Sequence, residues 1–412
     1  MSYSLDYLSN NETRRELMNK VALYLNSYSN EWRDRKAIKL EDIYTLWLIS
    51  LSIGLFGSEK NEEYYHLGSE ILLRLKIILE NTASPSPSFF GGLADVSFAI
   101  IQFNKTTGGY SRFSDQVYKY CVALIKEYSQ QCIDQLHDVR FSHYDTISGL
   151  SGMGYFILSN YQKTPAEYDA IMTIADFMGR LSDSSDGIPF WHIKHENQAT
   201  DEDKANFPHG HLNFSLSHGI VGPLAFLLLA YKNGFRQEAL THALSTFYSV
   251  VEQSAVAVDG AVFWPTKVPL ELYLAGKYGY SKNYSWCYGM PSILRVIELT
   301  SDVVEMPWAT DKINELFDYL LIHSDRIDFP ENILCHGHTG FLCVLESHYF
   351  GRTSKENAER LRSLFKNAVR RIQSSNNPEH YGNFLDGSIG ELIALLSICK
   401  NDTSVFQHLM LN

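Results

Sequence analysis

The stretch Cys335-His336-Gly337-His338-Thr339-Gly340, which opens the apolar run 341–345, decides the fold because variants of it recur along the chain. Each variant is a glycine turn that leads into an apolar helix, and such recurrence at regular intervals is typical of repeat architectures. The other five are Phe90-Gly91-Gly92-Leu93-Ala94, Ser148-Gly149-Leu150-Ser151-Gly152, Ser217-His218-Gly219-Ile220-Val221-Gly222, Cys287-Tyr288-Gly289-Met290-Pro291 and Leu385-Asp386-Gly387-Ser388-Ile389-Gly390.

Amphipathic segments alternate with these apolar helices. Apolar helices belong inside a protein and amphipathic helices outside, so the alternation predicts a closed ring of helical hairpins in one all-α domain over residues 1–412. Glycine in each turn allows close backbone approach and directs free backbone N–H groups toward a common centre. The amphipathic helices are predicted over 114–130, 166–180, 237–252, 311–324 and 354–374, and segment 40–56 supplies a seventh, degenerate inner helix.

Two stretches interrupt this alternation, at residues 183–210 and 258–284. The first contains Ser/Asp-rich turns and a charged run, and the second contains Pro265, Pro269 and a segment rich in Tyr, Lys and Ser. Both are predicted to be strand-and-loop excursions over the mouth of the ring.

Composition restricts the function classes. The formal net charge is -12 and the pI is near 5.7, which argues against general binding to nucleic acid or to anionic membranes. Six scattered cysteines do not form a disulfide framework in a chain of 412 residues. Residues 1–30 lack the apolar core of a signal peptide, and the apolar run 44–56 is too short to span a membrane. These features predict a reduced, soluble, cytoplasmic protein.

Cys287, Cys335 and His336 form a candidate zinc site. Zinc prefers four ligands, and three protein ligands leave one position for substrate. Two thiolates suit the ion to a third sulfur, so a thiol is the natural substrate of such a site. The spacing matches no zinc finger, and the alternative interpretation is that both cysteines are small buried apolar residues.

His218 and Asp145 form a candidate acid–base pair. His218 has the same offset in its turn as Tyr288 and His336 have in theirs, so a closed ring would bring these side chains to one mouth. A carboxylate beside an imidazole orients it and raises its pKa, as a general acid at neutral pH requires. Taken alone, His218 favours a structural capping role over a catalytic one, and Asp145 is equally consistent with a helix N-cap.

These motifs resemble those of the lanthionine cyclase (LanC) family. The resemblance rests on Trp286-Cys287-Tyr288-Gly289 followed by Cys335-His336-Gly337, preceded by Tyr144-Asp145 with its glycine turn and by Leu212-Asn213 with Ser217-His218-Gly219. It covers residues from about 89 to 396. It implies an α/α toroid of seven inner and seven outer helices, with a small extension near the mouth for peptide binding.

The resemblance also implies an enzyme and its site residues. It would be a Zn²⁺-dependent lantibiotic cyclase that adds peptide cysteine thiolates to dehydroalanine or dehydrobutyrine in a Michael-type reaction and so closes (methyl)lanthionine thioether rings. Cys287, Cys335 and His336 would bind zinc. His218 would be the acid/base, Asp145 its polar partner or a second acid/base, and Tyr288 a mouth residue near the metal.

One position departs from the family pattern. A well-studied bacterial member has an arginine four residues before the first zinc-binding cysteine, where this chain has Asn283, and Lys282 beside it offers a charge but no bidentate fork. The chain resembles the stand-alone cyclases rather than the fused synthetases. The implied partners are therefore a dehydrated precursor peptide, a separate dehydratase and a transporter, which would hold the protein peripherally at the inner face of the membrane.

Three other functions stay open at this point. The chain is also compatible with a LanC-like protein that adds glutathione to dehydroamino acids, and with a zinc-bearing scaffold that binds modified peptides without catalysis, an alternative that only Asn283 supports. The third is a toroid hydrolase acting on sugars, which needs paired carboxylates such as Asp145 and Asp386 and would leave the Cys/Cys/His set without a purpose.

Overall fold

The computed structural model describes residues 11–35, 37–39, 41–301, 303, 310–373 and 381–412. Two predicted helix limits, at residues 40 and 374, lie outside these ranges.

Two concentric layers of helices form the molecule. The inner layer is α2 (Glu41–Ser52), α4 (Leu93–Thr107), α7 (Leu150–Ser159), α10 (Val221–Lys232), α13 (Met290–Thr300), α15 (His338–Tyr349) and α17 (Ser388–Cys399). The outer layer is α1 (Asn11–Asp34), α3 (Ser58–Asn81), α5 (Ser111–Asp134), α8 (Pro165–Ser182), α11 (Glu238–Gln253), α14 (Thr310–Ile322) and α16 (Lys355–Arg371). Each inner helix contacts the next, and α17 contacts α2, which closes the ring. The predicted all-α toroid of seven inner and seven outer helices is confirmed.

The layer of each helix follows from its residue pattern. Every residue of α17 from 389 to 399 is buried, and all of them except Glu391 and Ser397 are apolar. A helix with apolar residues on all sides is stable only when it is surrounded by protein. Helix α16 buries only the stripe that contains Ala358, Leu361, Leu364 and Phe365, and its other side carries the charged residues to solvent.

The six glycine turns at residues 90–92, 147–149, 217–219, 287–289, 335–337 and 385–387, here called the first to sixth central turns, are joined by backbone hydrogen bonds. Phe90 N donates to Ile147 O (3.1 Å), and Thr146 N donates to Ser217 O (3.0 Å). The series continues from Ser217 N to Cys287 O (3.1 Å), from Cys287 N to Cys335 O (3.1 Å) and from Cys335 N to Leu385 O (2.9 Å). Residues far apart in sequence are therefore fixed side by side.

Glycine is required in these turns by close approach of the backbone. A Cβ atom on Gly289 would lie 2.3 Å from Ser285 O, and one on Gly337 would lie 2.5 Å from Ile333 N. The predicted close approach is confirmed. The prediction that backbone N–H groups in the turns are free is wrong for Ser217, Cys287 and Cys335, because the N–H group of each donates to the neighbouring turn.

A C-terminal segment fills the centre of the ring. Helix α18 (Ser404–His408) places the fully buried His408 ring 4.6 Å from both Phe89 and Phe98 and 4.9 Å from Phe384, measured between ring centroids. Trp286 Nε1 also donates to Leu409 O (2.9 Å). This C-terminal segment therefore contacts turns and helices from opposite sides of the toroid.

Three small antiparallel sheets accompany the helices in the described part of the chain. They are β1 (Ser184–Ser185) with β2 (Ile188–Pro189), β3 (His211–Asn213) with β6 (Lys267–Pro269), and β4 (Val256–Val258) with β5 (Ala261–Phe263). The remaining short helices are α6 (Phe141–Tyr144), α9 (Asp201–Asn206) and α12 (Leu270–Leu274).

The two predicted excursions meet through these elements. Lys267 of β6 forms an ion pair with Asp203 of α9 at 2.6 Å, so segments 183–210 and 258–284 contact each other. Their placement over the mouth stays a prediction. Within the described ranges, no helix combines the length and the apolarity that crossing a membrane requires.

Candidate metal centre and acid–base pair

Cys287 from the fourth central turn and Cys335 and His336 from the fifth form a cluster of donor atoms that all lie within 4.8 Å of one another. In the described part of the chain, this is the one group of three or more Cys, His, Asp and Glu residues close enough to share a metal ion. The backbone hydrogen bond between Cys287 and Cys335 explains why two such distant cysteines meet.

Polar neighbours surround the three candidate ligands. Ser285 Oγ lies 3.4 Å from Cys287 Sγ, and Glu331 Oε2 lies 3.0 Å from His336 Nε2. The hydrogen bond from Cys335 lowers the pKa of the Cys287 thiol to about 7, so one thiol of the pair is ready to ionise near neutral pH.

Two sulfurs and one imidazole suit zinc. Soft thiolate ligands select Zn²⁺ over Mg²⁺ and Ca²⁺, and three protein ligands leave the fourth position for substrate. Because Glu331 contacts Nε2 of His336, Nδ1 is the nitrogen left for a metal, in the carboxylate–histidine arrangement common around zinc. The residues present therefore fit the ion.

Asp145 and His218 are joined directly. His218 Nδ1 lies 2.6 Å from Asp145 Oδ2, while Asp145 Oδ1 accepts hydrogen bonds from the backbone N–H groups of Ser148 (2.8 Å) and Gly149 (2.7 Å). The Asp145 carboxylate is fully buried, whereas the His218 side chain is 33% exposed. Asp145 thus holds the start of α7 and orients the imidazole at once. With both oxygens engaged, it is unsuited to the hydrolase alternative, which needs a carboxyl group open to a sugar.

Tyr288 adjoins both groups. It follows Cys287 in the chain, its ring centroid lies 6.2 Å from that of His218, and its hydroxyl is hydrogen-bonded to Asn213. Burial raises the pKa of Tyr288 to about 12, so the phenol stays protonated at neutral pH.

Asn283 has a structural role in the fourth turn that has a counterpart in the third. Asn283 Oδ1 accepts from Ser285 N (2.8 Å), and Asn213 Oδ1 accepts from Ser215 N in the same way (3.0 Å). Lys282 forms an ion pair with Asp259 at 3.1 Å. Asn283 therefore builds the turn that presents Cys287, and the charge of Lys282 is directed to the β4–β5 hairpin.

Two histidines on the loop that leads into the third turn differ in burial. The loop position of His209 and His211 predicts exposure to solvent for both. His209 is exposed, but the prediction is wrong for His211, which is buried and hydrogen-bonded to Gln198 (3.1 Å). Burial lowers the pKa of His211 to about 4. The remaining four cysteines, which the sequence predicts to be core residues on helices, are buried and free: Cys121, Cys132, Cys343 and Cys399.

Two acidic residues contact the candidate ligands and were not predicted from the sequence to belong to this site. Asp386 in the sixth turn is hydrogen-bonded to Cys335, and Glu331 contacts His336. Asp386 occupies the offset in its turn that His336 occupies in the fifth, so the repeat alignment contained the information.

Comparison with known families decides the relationship. The model of the family described as "Lanthionine synthetase C-like protein" matches residues 48–411, which is most of the chain. The chain belongs to the lanthionine synthetase C-like family.

Two further relatives agree with this family. The nisin biosynthesis protein NisC of Lactococcus lactis subsp. lactis is 24% identical over 260 residues, which cover 62% of this chain and 60% of that protein. The chain thus aligns with less than two thirds of that relative's length. The solved structure of a nisin cyclase superposes with a TM-score of 0.80 at 19% identity and covers 97% of both chains. This lanthionine synthetase C-like chain therefore shares the fold of the nisin cyclase.

Proposed function

We propose that the protein is a zinc-dependent cyclase that closes thioether rings by adding cysteine thiols of a peptide to dehydroalanine or dehydrobutyrine. The observation that carries the proposal is the meeting of Cys287, Cys335 and His336, whose donor atoms lie within 4.8 Å of one another. The turn that carries His218, the partner of Asp145, is joined to this cluster by the hydrogen bond from Ser217 N to Cys287 O (3.1 Å). Membership in the lanthionine synthetase C-like family supports the same reaction class.

The reaction needs an activated sulfur and a proton donor. When bound by the three residues, zinc supplies a Lewis acid that lowers the pKa of a thiol. The new S–C bond forms at Cβ of the dehydroamino acid, the double bond opens, and Cα takes up a proton. The thiol loses one proton and Cα gains one, so the addition is balanced and needs no oxidant or reductant.

His218 is the proposed proton donor to Cα. Its Nδ1 is held by Asp145 Oδ2 at 2.6 Å, so Nε2 is the nitrogen left to face a substrate. The buried carboxylate fixes the orientation of the imidazole, as a proton donor that must reach a defined carbon requires. Tyr288, whose hydroxyl stays protonated, is proposed to orient the substrate between His218 and Cys287.

The partners proposed for this activity follow from the family. They are a dehydrated lantibiotic precursor peptide as substrate, a separate dehydratase that prepares it, and a transporter that would bring a cytoplasmic cyclase to the inner face of the membrane.

The test combines zinc analysis with a ring-closure assay. A synthetic peptide with one cysteine and one dehydroalanine is incubated with the purified protein, and loss of the alkylatable thiol is followed by mass spectrometry. We expect wild type to bind one zinc and close the ring. The Cys335→Ala variant is expected to lose the metal and the activity together, because the site loses a ligand.

Two further variants sharpen the interpretation. His218→Ala should keep zinc and lose at least about a hundredfold in rate, because only proton transfer is impaired. Cys343→Ala, which removes a buried cysteine of α15 outside the cluster, is the matched control and should keep both. Full ring closure by zinc-free protein, or zinc retained by Cys335→Ala, would overturn the proposal.

A further inference from the structure

A cavity of about 550 Å³ opens beside the candidate metal centre, between the fifth and sixth central turns. It shares two walls with that centre, because Glu331 and Asp386 line the cavity and also contact His336 and Cys335, respectively. A peptide whose cysteine lies at the metal would therefore place a neighbouring side chain at this opening.

The lining of the cavity is strongly acidic. Among the described residues that line it are four with carboxyl groups and one with a guanidinium group, Arg371; the carboxyl groups belong to Asp328, Glu331, Asp386 and Glu391. Among the described residues, these carboxylates do not come close enough to share a metal ion, since only the Cys/Cys/His cluster brings three donors together. The lining thus favours an extended organic cation over a divalent metal ion.

Two buried polar side chains form the floor of this cavity. Asn332 is 9% exposed and Glu391 is 3% exposed, and both line the cavity. Asn332 Nδ2 donates to Glu391 Oε2 (2.6 Å) and to Ala368 O (3.2 Å), which fixes the orientation of the amide. Asn332 Oδ1 is then buried without a hydrogen-bond partner among the described residues. An unpartnered buried acceptor is costly, and a ligand with N–H groups would relieve that cost.

The raised pKa of Glu391 also favours a ligand that is a cation with N–H groups. Burial raises the pKa of Glu391 to about 7, because the opposing effects of Asn332 and Lys20 are smaller than the cost of desolvation. An ammonium group entering the cavity would favour the ionised carboxylate and would donate up to three hydrogen bonds.

We propose that this cavity binds the ammonium group of a lysine side chain adjacent to the reacting cysteine in the substrate peptide, with Glu391 and Asn332 as its floor. The inference rests on the proposed function for the placement of the cysteine, and its ligand chemistry rests on the cavity itself. It makes residues next to cysteine a determinant of which peptide, and which ring, is processed.

The test measures binding rather than turnover. The full chain loaded with zinc is titrated calorimetrically at about 0.15 M salt, where nonspecific attraction to an acidic protein is screened. The two probes are acetyl-Ala-Lys-Cys-Lys-Ala-amide and the same peptide with norleucine in place of both lysines. We expect wild type to bind the lysine peptide about tenfold more tightly, the effect of one charge-assisted hydrogen bond.

Two variants test the floor of the cavity against general charge. Glu391→Gln should reduce the preference to less than about twofold, because the amide keeps the shape and removes the charge. Glu359→Gln removes an equal charge from the exposed side of α16 and should keep the full preference. Asp328→Asn, in the wall of the cavity, should lower the preference in part and serves if Glu391→Gln does not fold.

The outcomes separate this inference from the proposed function. Equal binding of the two peptides by wild type, or a preference unchanged in both cavity variants, overturns the lysine site. Ring closure is measured on the same preparations. A wild-type protein that closes rings without preferring lysine refutes only the cavity proposal, and one that prefers lysine without closing rings refutes only the cyclase.

Discussion

Asp145 combines two tasks in one carboxylate, since one oxygen holds the turn before α7 and the other holds His218. Replacing Asp145 by Asn should preserve the first task, because the amide oxygen still accepts the backbone N–H groups. The second is lost, because the amide NH2 group that would face His218 Nδ1 can only donate and would hold the imidazole in the other tautomer. We expect metal content to be unchanged and the ring-closure rate to fall by about 10²–10⁴-fold, measured as kcat on the dehydrated peptide.

The matched control for this prediction is Asp95→Asn. Asp95 is equally buried and also binds a glycine-turn N–H, that of Gly91 (2.8 Å), but in the first central turn. It should lose stability and keep kcat. Similar loss of kcat in both variants would show that Asp145 acts through the fold and not through His218.

Single residues also show where sequence reasoning reaches its limit. Cys287, Cys335 and His336 were predicted to meet, and they do, because the repeat fixes their offset in each turn. The burial of His211 was not predictable, because it depends on the pairing of β3 with β6, two strands of three residues each with no sequence pattern of their own. The turn-building role of Asn283 was missed, although its equivalence to Asn213 was present in the sequence.

At the level of elements, the central turns tolerate no side chain at their glycines. Gly337→Ala would place a Cβ atom 2.5 Å from Ile333 N, within the turn that carries two candidate ligands. Because the backbone must shift, we expect the free energy of unfolding to fall by about 3 kcal/mol, measured by urea denaturation, with a weaker affinity for zinc.

Gly57→Ala provides the comparison for that loss. Gly57 precedes α3, and a Cβ atom there would meet nothing within 4 Å. The free energy of unfolding of the Gly57→Ala variant should differ from that of wild type by less than about 1 kcal/mol. Equal destabilisation by the two substitutions would contradict the crowding argument for the turns.

The alternation of inner and outer helices was predictable from hydrophobic patterning, because a helix that is buried on all sides has apolar residues at almost every position. The hydrogen bonds that join one central turn to the next were not. Each connects backbone groups of residues distant in sequence, such as Cys335 and Leu385, and backbone groups are the same in nearly every residue type. The sequence therefore predicts the two helix layers better than it predicts the hydrogen bonds that join the central turns.

For the molecule as a whole, buried ionisable groups set the response of stability to pH. Glu346 on α15 is fully buried, and desolvation raises its pKa to about 8. The folded state therefore holds a proton that the unfolded state releases near pH 4.5, so stability is present at low pH and is lost as pH rises through 8. The opposite holds for His211, whose lowered pKa makes stability fall as pH drops from about 6.5 toward 4.

Glu346→Gln tests this balance. We expect the melting temperature of wild type to decline between about pH 6 and pH 8.5, and that of the variant to decline less, since its amide does not titrate. Below about pH 4.5, where Glu346 is protonated in both the folded and the unfolded state, the two curves should run parallel. Parallel curves across the alkaline range as well would contradict the role of Glu346.

The central turns separate a frame from the side chain that it displays. Glycines, asparagine–backbone bonds and the hydrogen bonds between turns make up the frame, while the residue just before the glycine that ends each turn is not the same type throughout. From the second turn to the sixth, those residues are Ser148, His218, Tyr288, His336 and Asp386. A substitution at one of these positions can therefore change the chemistry of the site while the backbone of the turns stays the same. A ring of this kind is thus a suitable starting point for the design of new metal sites.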